Sequence, residues 1–238
     1  MAETVIDMGI SYNAQEQVFR LDTPHTTYLI GIAEGFLGQI YYGPRIPDSH
    51  MRYLLRLDEP PYTPSRNAGE RAAFYDVFPF EYPAWGNGDF REPCLRIETG
   101  NGGRRCELFY QSHKIFAGKK PLDGLPAAFG RDSECSTLEI LCCDPALNLQ
   151  VILSYTVFET ADAICRSARI ENNGAAPLTL TSALSACLTL DGRNFDIITL
   201  PGAWLTSGEL TAVRFRRASR ARFHCGAFPP TSSTPSWR

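Results

Sequence analysis

The feature that most restricts this chain is a spacing of two. In "LEILCCDPALNLQVILSYTVFE" (138–159), Leu138, Ile140 and Cys142 alternate with other residues. After Asp144-Pro145, the positions Leu147, Leu149, Val151, Leu153, Tyr155 and Val157 alternate again. Successive side chains of a strand point to opposite faces, so such a run lays one apolar face on a core. "AICRSARIENNGAAPLTLTSALSACLTL" repeats the pattern, with Ile164, Ala168 and Ile170 on one side. Asn172-Asn173-Gly174 supplies a turn there, and Leu178 and Leu180 resume. "TTYLIGIAEGFLGQIYYG" reads as two strands broken at Glu34-Gly35. The 19 Gly and 17 Pro fall between such runs, and no amphipathic stretch long enough for a helix interrupts them. The expected fold class is all-β, an antiparallel sandwich.

Residues 44–83 break the pattern. They hold seven prolines, weak alternation and many aromatic and charged side chains, which favours an ordered functional loop over a linker. The net charge of −3 gives no reason to expect nucleic acid or an anionic membrane as partner. That charge is unevenly spread. Residues 205–238 carry six Arg, no Lys and one acid, Glu209. Removing these from the chain's 23 bases and 26 acids leaves 17 against 25. The start, "MAETVIDMGISYN", lacks the apolar centre of a secretory signal, and no run approaches the ~18–20 apolar residues of a membrane span. The eight Cys form no C-x-x-C pair and no disulfide framework. Buried thiols in a reducing cytoplasm are the expectation.

Motifs that carry chemistry are few. There is no G-x-S-x-G elbow, no H-E-x-x-H, no phosphate-binding glycine loop and no dinucleotide fingerprint. The four His (His25, His50, His113, His224) lack ligand spacing. Cys142, Cys143 and Asp144 have the chemistry of metal ligands, but strand neighbours face opposite ways, which favours core packing. Trp85, Asp89 and Arg91 in "AWGNGDFR" are further candidates, with Asp89 read first as a turn-former between glycines.

Five segments, taken together and in order, resemble one family. They are "FPFEYPAWGNGDFREP" (78–93), "HKIFAGKKPLDGLPAAFG" (113–130), "TLEILCCDPALNLQVILSYTVFE" (137–159), "RSARIENNG" (166–174) and "LPGAW" (200–204). They resemble the N-terminal domain of bacterial α-galactosidases of glycoside hydrolase family 36. The resemblance runs from about residue 10 to Trp204. It implies an N-terminal β-supersandwich of the galactose-mutarotase kind, followed in the family by a (β/α)8 barrel and a small β domain. It implies retaining hydrolysis of terminal α-galactosyl residues from melibiose, raffinose or stachyose, with no cofactor and no metal. Retention needs two carboxyl groups ~5–5.5 Å apart, one nucleophile and one acid/base. The family places both on the barrel, so no residue of this chain is expected to be catalytic and the chain alone is expected to be inactive. The full-length family enzyme is expected to be a cytoplasmic homo-oligomer.

The resemblance also implies that the sandwich helps shape the sugar pocket. The matching positions are Asp58 in "LLRLDEPP", Arg71 in "AGERAAF" and Trp204 in "LPGAW". A carboxylate and a guanidinium suit sugar hydroxyls, and an indole suits the apolar face of the ring. The plainer readings are a solvated loop acid for Asp58 and a surface ion pair for Arg71. Two other functions compete: a stand-alone sugar-binding or oligomerisation module, and an aldose mutarotase. Mutarotases rely on His and Glu in a concave sheet, which four scattered His fit poorly.

The family commonly follows "LPGAW" with a motif like "ARERH" and, later, "SSHQQNPF". This chain shows neither. Read one base earlier, the codons from Phe228 to Trp237 permit "SSHQQNPFM", and those after Trp204 permit "A-x-E-R". Residues 205–238 are therefore expected to be an out-of-frame, disordered tail, and 1–204 a supersandwich incomplete at its C-terminal end. Missing strands would leave an exposed sheet edge and an aggregation-prone product.

Overall fold

The computed structural model describes residues 9–190, except 48–49, 56, 58–74, 76, 87–88, 90, 123 and 125–126, together with 196–199 and 211–214. Two four-stranded antiparallel sheets organise the part up to Thr189. The first runs β1 (Gly9–Asn13), β2 (Val18–Asp22), β3 (Thr26–Ala33) and β4 (Phe36–Pro44) in that order. The second runs β6 (Phe109–Ala117), β7 (Cys135–Asp144), β8 (Leu149–Phe158) and β9 (Ala163–Asn172). Between them in sequence lies β5 (Leu95–Thr99), which pairs with β10 (Leu178–Ala183) as a separate antiparallel ribbon. Beyond residue 190 a second unit contains the antiparallel hairpin β11 (Asp196–Thr199) and β12 (Thr211–Arg214). β12 falls inside the segment 205–238.

The alternation does what its spacing requires. Phe19 and Leu21 of β2 and Tyr28, Ile30 and Ile32 of β3 meet Leu138, Ile140 and Cys142 of β7 and Leu149, Val151, Leu153, Tyr155 and Val157 of β8. At roughly 1.5–3 kcal/mol for each large apolar side chain removed from water, this cluster is the main drive for folding. The break at Glu34-Gly35 is a hairpin turn with both residues at positive φ, 51° and 81°. That twist suits the right-handed strands either side. At Asp144 the side chain closes its own turn. Its Oδ1 accepts from the backbone N of Ala146 (2.8 Å) and Leu147 (3.1 Å), so the carboxylate stands in for a backbone group. Cys142 is buried in the core while Cys143 is only half-buried, as opposite faces demand.

β10 departs from the simplest reading of its sequence. Asn172-Asn173-Gly174 does turn, but the next strand pairs with β5 and not with β9: Leu178 faces Thr99 and Leu180 faces Ile97. The turn explains the departure. Asn173 exchanges hydrogen bonds with Asn148 of the β7–β8 connection (3.0 and 2.7 Å), which commits its backbone elsewhere. Pro177, just before β10, has no N–H with which to extend a ladder.

Candidate functional site

Asp58, Arg71 and Trp204 lie outside the described residues. What the structure describes is the frame from which the loop around Asp58 and Arg71 springs, and both of its roots are fixed by an arginine. At the first root, residues 52–54 form one 3-10 turn on the outer face of β3–β4. The Arg52 guanidinium donates to the carbonyls of Glu16 (2.7 Å) and Ile32 (2.8 Å) and to Gln17 Oε1 (3.2 Å). Leu55 then drops into a dimple made by Gly31 and Gly38, which face each other across the two strands. A Cβ on Gly31 would sit 2.6 Å from Leu55, and one on Gly38 2.6 Å from Phe78 and 2.7 Å from Leu55. Only glycine permits that approach.

The second root is built from Tyr75 to Arg91. Tyr75 and Phe78 are buried with Ala33, Phe36 and Leu55 in a small second core. The backbone then runs beside β4, with Gln39 N donating to Pro79 O (2.8 Å) and Glu81 N to Leu37 O (3.0 Å). Arg91 clamps the end of the loop, donating to the carbonyls of Tyr75 (2.9 Å) and Phe78 (2.6 Å). Asp89 holds Arg91 in a two-point pair, at 2.7 Å from Nε and 3.0 Å from Nη2. Asp89 also closes a turn with Gly86, whose φ of 132° favours glycine. The turn-forming reading of Asp89 therefore describes its role, and Arg91 belongs with it as a brace.

Beside this root, Phe36, Tyr75, Phe80, Asp89 and Glu107 line a hollow of about 30 Å³. That is room for one or two waters, not for a sugar ring. Among the described residues no group of three His, Cys, Asp or Glu side chains is arranged to hold a metal.

The strongest polar constellation was not foreseen from the sequence. Glu81 has no solvent exposure, yet both its oxygens are taken. Tyr28 donates to Oε2 at 2.5 Å, and Tyr155 donates to Oε1 at 2.7 Å. Arg166 pairs with the same Oε1 and lies over the rings of Tyr28 and Tyr155 at 5.6 and 5.1 Å. Its other nitrogen donates to the Cys187 carbonyl at 3.2 Å. Burial pushes the Glu81 carboxyl above its ordinary value, against the pull of Arg166 and the two phenols. Burial and then the Glu81 charge drive both phenols well upward, so they remain donors. Burial also works against the charge on Arg166, but Glu81, Tyr155 and Tyr28 outweigh it and hold the guanidinium protonated. With both oxygens of a fully buried carboxylate engaged by two phenols and a guanidinium, the arrangement is an internal brace. One signal was available: Arg166 occupies the same alternating face of β9 as Ile164, Ala168 and Ile170.

These features coincide with the segments on which the resemblance rests, since Glu81, Asp89 and Arg91 lie in 78–93 and Arg166 in 166–174. The sequence profile of the glycosyl hydrolase family 36 N-terminal domain matches residues 35–221. The chain belongs to glycoside hydrolase family 36. It is 37% identical over 200 residues to alpha-galactosidase AgaA of Geobacillus stearothermophilus, covering 83% of this chain and 27% of that protein. The galactosidase domain of the α-galactosidase–sucrose kinase AgaSK, a protein of Mediterraneibacter gnavus, superposes with a TM-score of 0.80 at 34% identity. That match covers 87% of this chain and 29% of the other. A variant of AgaA solved in complex with raffinose superposes with a TM-score of 0.75 at 33% identity, covering 83% and 28%. A further AgaA variant is solved with stachyose. This family 36 chain thus spans about a quarter of the length of the relatives it matches.

Proposed function

We propose that this chain is the N-terminal supersandwich of a retaining α-galactosidase acting on raffinose- and melibiose-type oligosaccharides, and that it shapes the sugar pocket without supplying the cleaving carboxyl pair. The observation that carries the reading is the family profile over 35–221, with five segments in register. Relatives solved with raffinose and stachyose support the substrate class. Asp58 and Arg71 would hydrogen-bond sugar hydroxyls, and Trp204 would pack on the ring face. Bond cleavage would fall to two carboxyl groups of a barrel of ~250 residues. The chain by itself is then inactive.

The test has two arms. The isolated chain should release no product from p-nitrophenyl α-galactoside or raffinose. Exchanging residues 10–204 for the matching segment of the Geobacillus enzyme should give an active chimera. In that chimera, Asp58→Ala and Trp204→Ala should each lower kcat/KM roughly ten- to a hundredfold, the loss of one charge-assisted hydrogen bond or one stacking face. Unchanged kcat/KM in both variants would remove these residues from the pocket.

The same proposal includes a cytoplasmic, homo-oligomeric full-length enzyme. The seven described cysteines, all thiols outside any disulfide, support a reducing compartment. It also includes an out-of-frame origin for residues from about 205 onward. The coding DNA decides that point, because the frame one base earlier must spell S-S-H-Q-[HQ]-N-P-F.

A further inference from the structure

We propose that Asn101 is a self-modifying site, converted through a succinimide to aspartate and isoaspartate with the help of the Thr99 hydroxyl. The chain holds three Asn-Gly pairs, at 87–88, 101–102 and 173–174. Glycine after asparagine puts no side chain in the way of ring closure, so the sequence makes all three candidates. The first lies outside the described residues, and the structure separates the other two.

Asn101 sits in the exposed turn that leaves β5. Its Oδ1 accepts from the Thr99 hydroxyl and from Gly103 N at 3.3 Å. The Gly103 donor fixes that end of the carboxamide as oxygen. Two donors on one carbonyl oxygen draw charge from Cγ, and they are in place for the oxyanion that forms when Cγ is attacked. The attacking atom is Gly102 N, next in the chain. Its turn bond to Thr99 O (2.8 Å) breaks in the reaction. A Cβ on Gly100 or Gly102 would meet nothing within 4 Å, so the backbone has room to rotate into the ring.

Asn173 is also exposed, but it is pinned. Its N donates to Asn148 O (3.0 Å) and its carbonyl accepts from Asn148 Nδ2 (2.7 Å). Gly174 N donates to Asn172 Oδ1 at 3.0 Å, and a Cβ on Gly174 would lie 2.7 Å from Leu147 O. Ring closure there has to break bonds of both residues in a crowded turn.

At Asn101, hydroxide takes the proton of Gly102 N, whose lone pair bonds to Asn101 Cγ. The oxyanion collapses, the bond from Cγ to the side-chain nitrogen breaks, and that nitrogen leaves as ammonia with a proton from water. Water then opens the ring. Attack at the side-chain carbonyl gives aspartate, and attack at the backbone carbonyl gives isoaspartate. One water is consumed and one ammonia released. The product adds a negative charge to the turn that continues into Arg104, the partner of Glu98 at 3.1 Å.

The experiment incubates the intact 238-residue chain at mildly alkaline pH, folded and in urea, and follows tryptic peptides 97–104 and 170–193 by mass spectrometry. In the folded chain Asn101 should convert roughly tenfold faster than Asn173, a barrier difference of about 1.4 kcal/mol. In urea the donors to Oδ1 are lost, so the Asn101 rate should fall and the two rates converge. Thr99→Val should slow Asn101 in the folded chain, and Asn101→Gln should leave peptide 97–104 unchanged. Equal rates at the two sites in the folded chain overturn the proposal. So does an Asn101 rate that rises on unfolding, one untouched by Thr99→Val, or an Asn101 that stays intact. The wild-type comparison of folded and unfolded chain decides the matter even where a variant fails to fold, and none of these outcomes depends on the galactosidase reading.

Discussion

At the scale of single residues, the protein places its charges where the cost of error is highest. Glu81 and Arg166 are a buried pair, and removing one partner strands the other in a low dielectric. Glu81→Ala should therefore destabilise the fold by about 3–5 kcal/mol, read from urea unfolding, whereas a joint replacement of both by apolar residues should cost much less. A double-variant loss equal to the sum of the two single losses would show that the pair has no coupling. A surface cluster behaves differently. Asp162 accepts from Thr23 Oγ1 and from His25 N, both at 2.8 Å, and pairs with His25 Nδ1 at 2.5 Å, tying the β2–β3 turn to the β8–β9 turn. The His25 side chain, and then Thr23, hold its carboxyl below the ordinary value of 3.8. Below that ordinary value the unfolded chain takes up the proton first. The stability from this contact is thus present above about pH 4 and is lost as pH falls through the lowered value. Asp162→Asn should move the acid-unfolding midpoint to higher pH; an unmoved midpoint would mean the contact contributes nothing.

At the scale of elements, two devices set the shape of the sandwich. The paired glycines of β3 and β4 make the dimple for Leu55, so Gly38→Ala forces Leu55 and Phe78 aside. A cost of about 1–3 kcal/mol is expected from overpacking. It should appear together with faster amide exchange in 51–55 and 77–81 than in β7 and β8. Uniform exchange throughout would argue against a separate second core. Asp144 is the other device. Besides closing the β7–β8 turn it accepts from Glu107 N at 2.7 Å, which carries the chain into β6. Asp144→Ala leaves three backbone donors without their acceptor and should cost about 1–3 kcal/mol in chemical denaturation, while Asp144→Asn should recover part of it. Several elements were legible in advance: β7, β8 and β9 fall where the spacing of two places them, and β3 and β4 lie either side of the break at Glu34-Gly35. The partner of β10 was not, because alternation fixes which face of a strand is apolar and says nothing about which neighbour completes its ladder.

At the scale of the whole molecule, the family match assigns the chain to glycoside hydrolase family 36, and the proposed function puts the cleaving carboxyl groups outside it. Among the described residues, the hollow by Glu107 is water-sized and the fully buried Glu81 carboxylate has both oxygens engaged. The proposed sugar site rests on resemblance alone. Asp58, Arg71 and Trp204 have no spacing of their own that demands sugar binding, and they lie outside the described residues. The roots of the loop around Asp58 and Arg71 are a different matter. Arg91 stood among the candidates of its segment and Arg52 carried no signal, and only the fold aims both at backbone carbonyls.

By itself the sequence determined the class of the fold, since a period of two with turn residues between runs allows strands and little else. Its ordered segments also determined the family. What only the tertiary structure decided are the long-range pairings: Glu81 with Arg166 and β10 with β5. The physical reason is common to both. Local spacing records which face of a strand is turned inward. A buried charge or open strand edge is satisfied by whatever the packing brings within about 3 Å, and no local pattern encodes that neighbour.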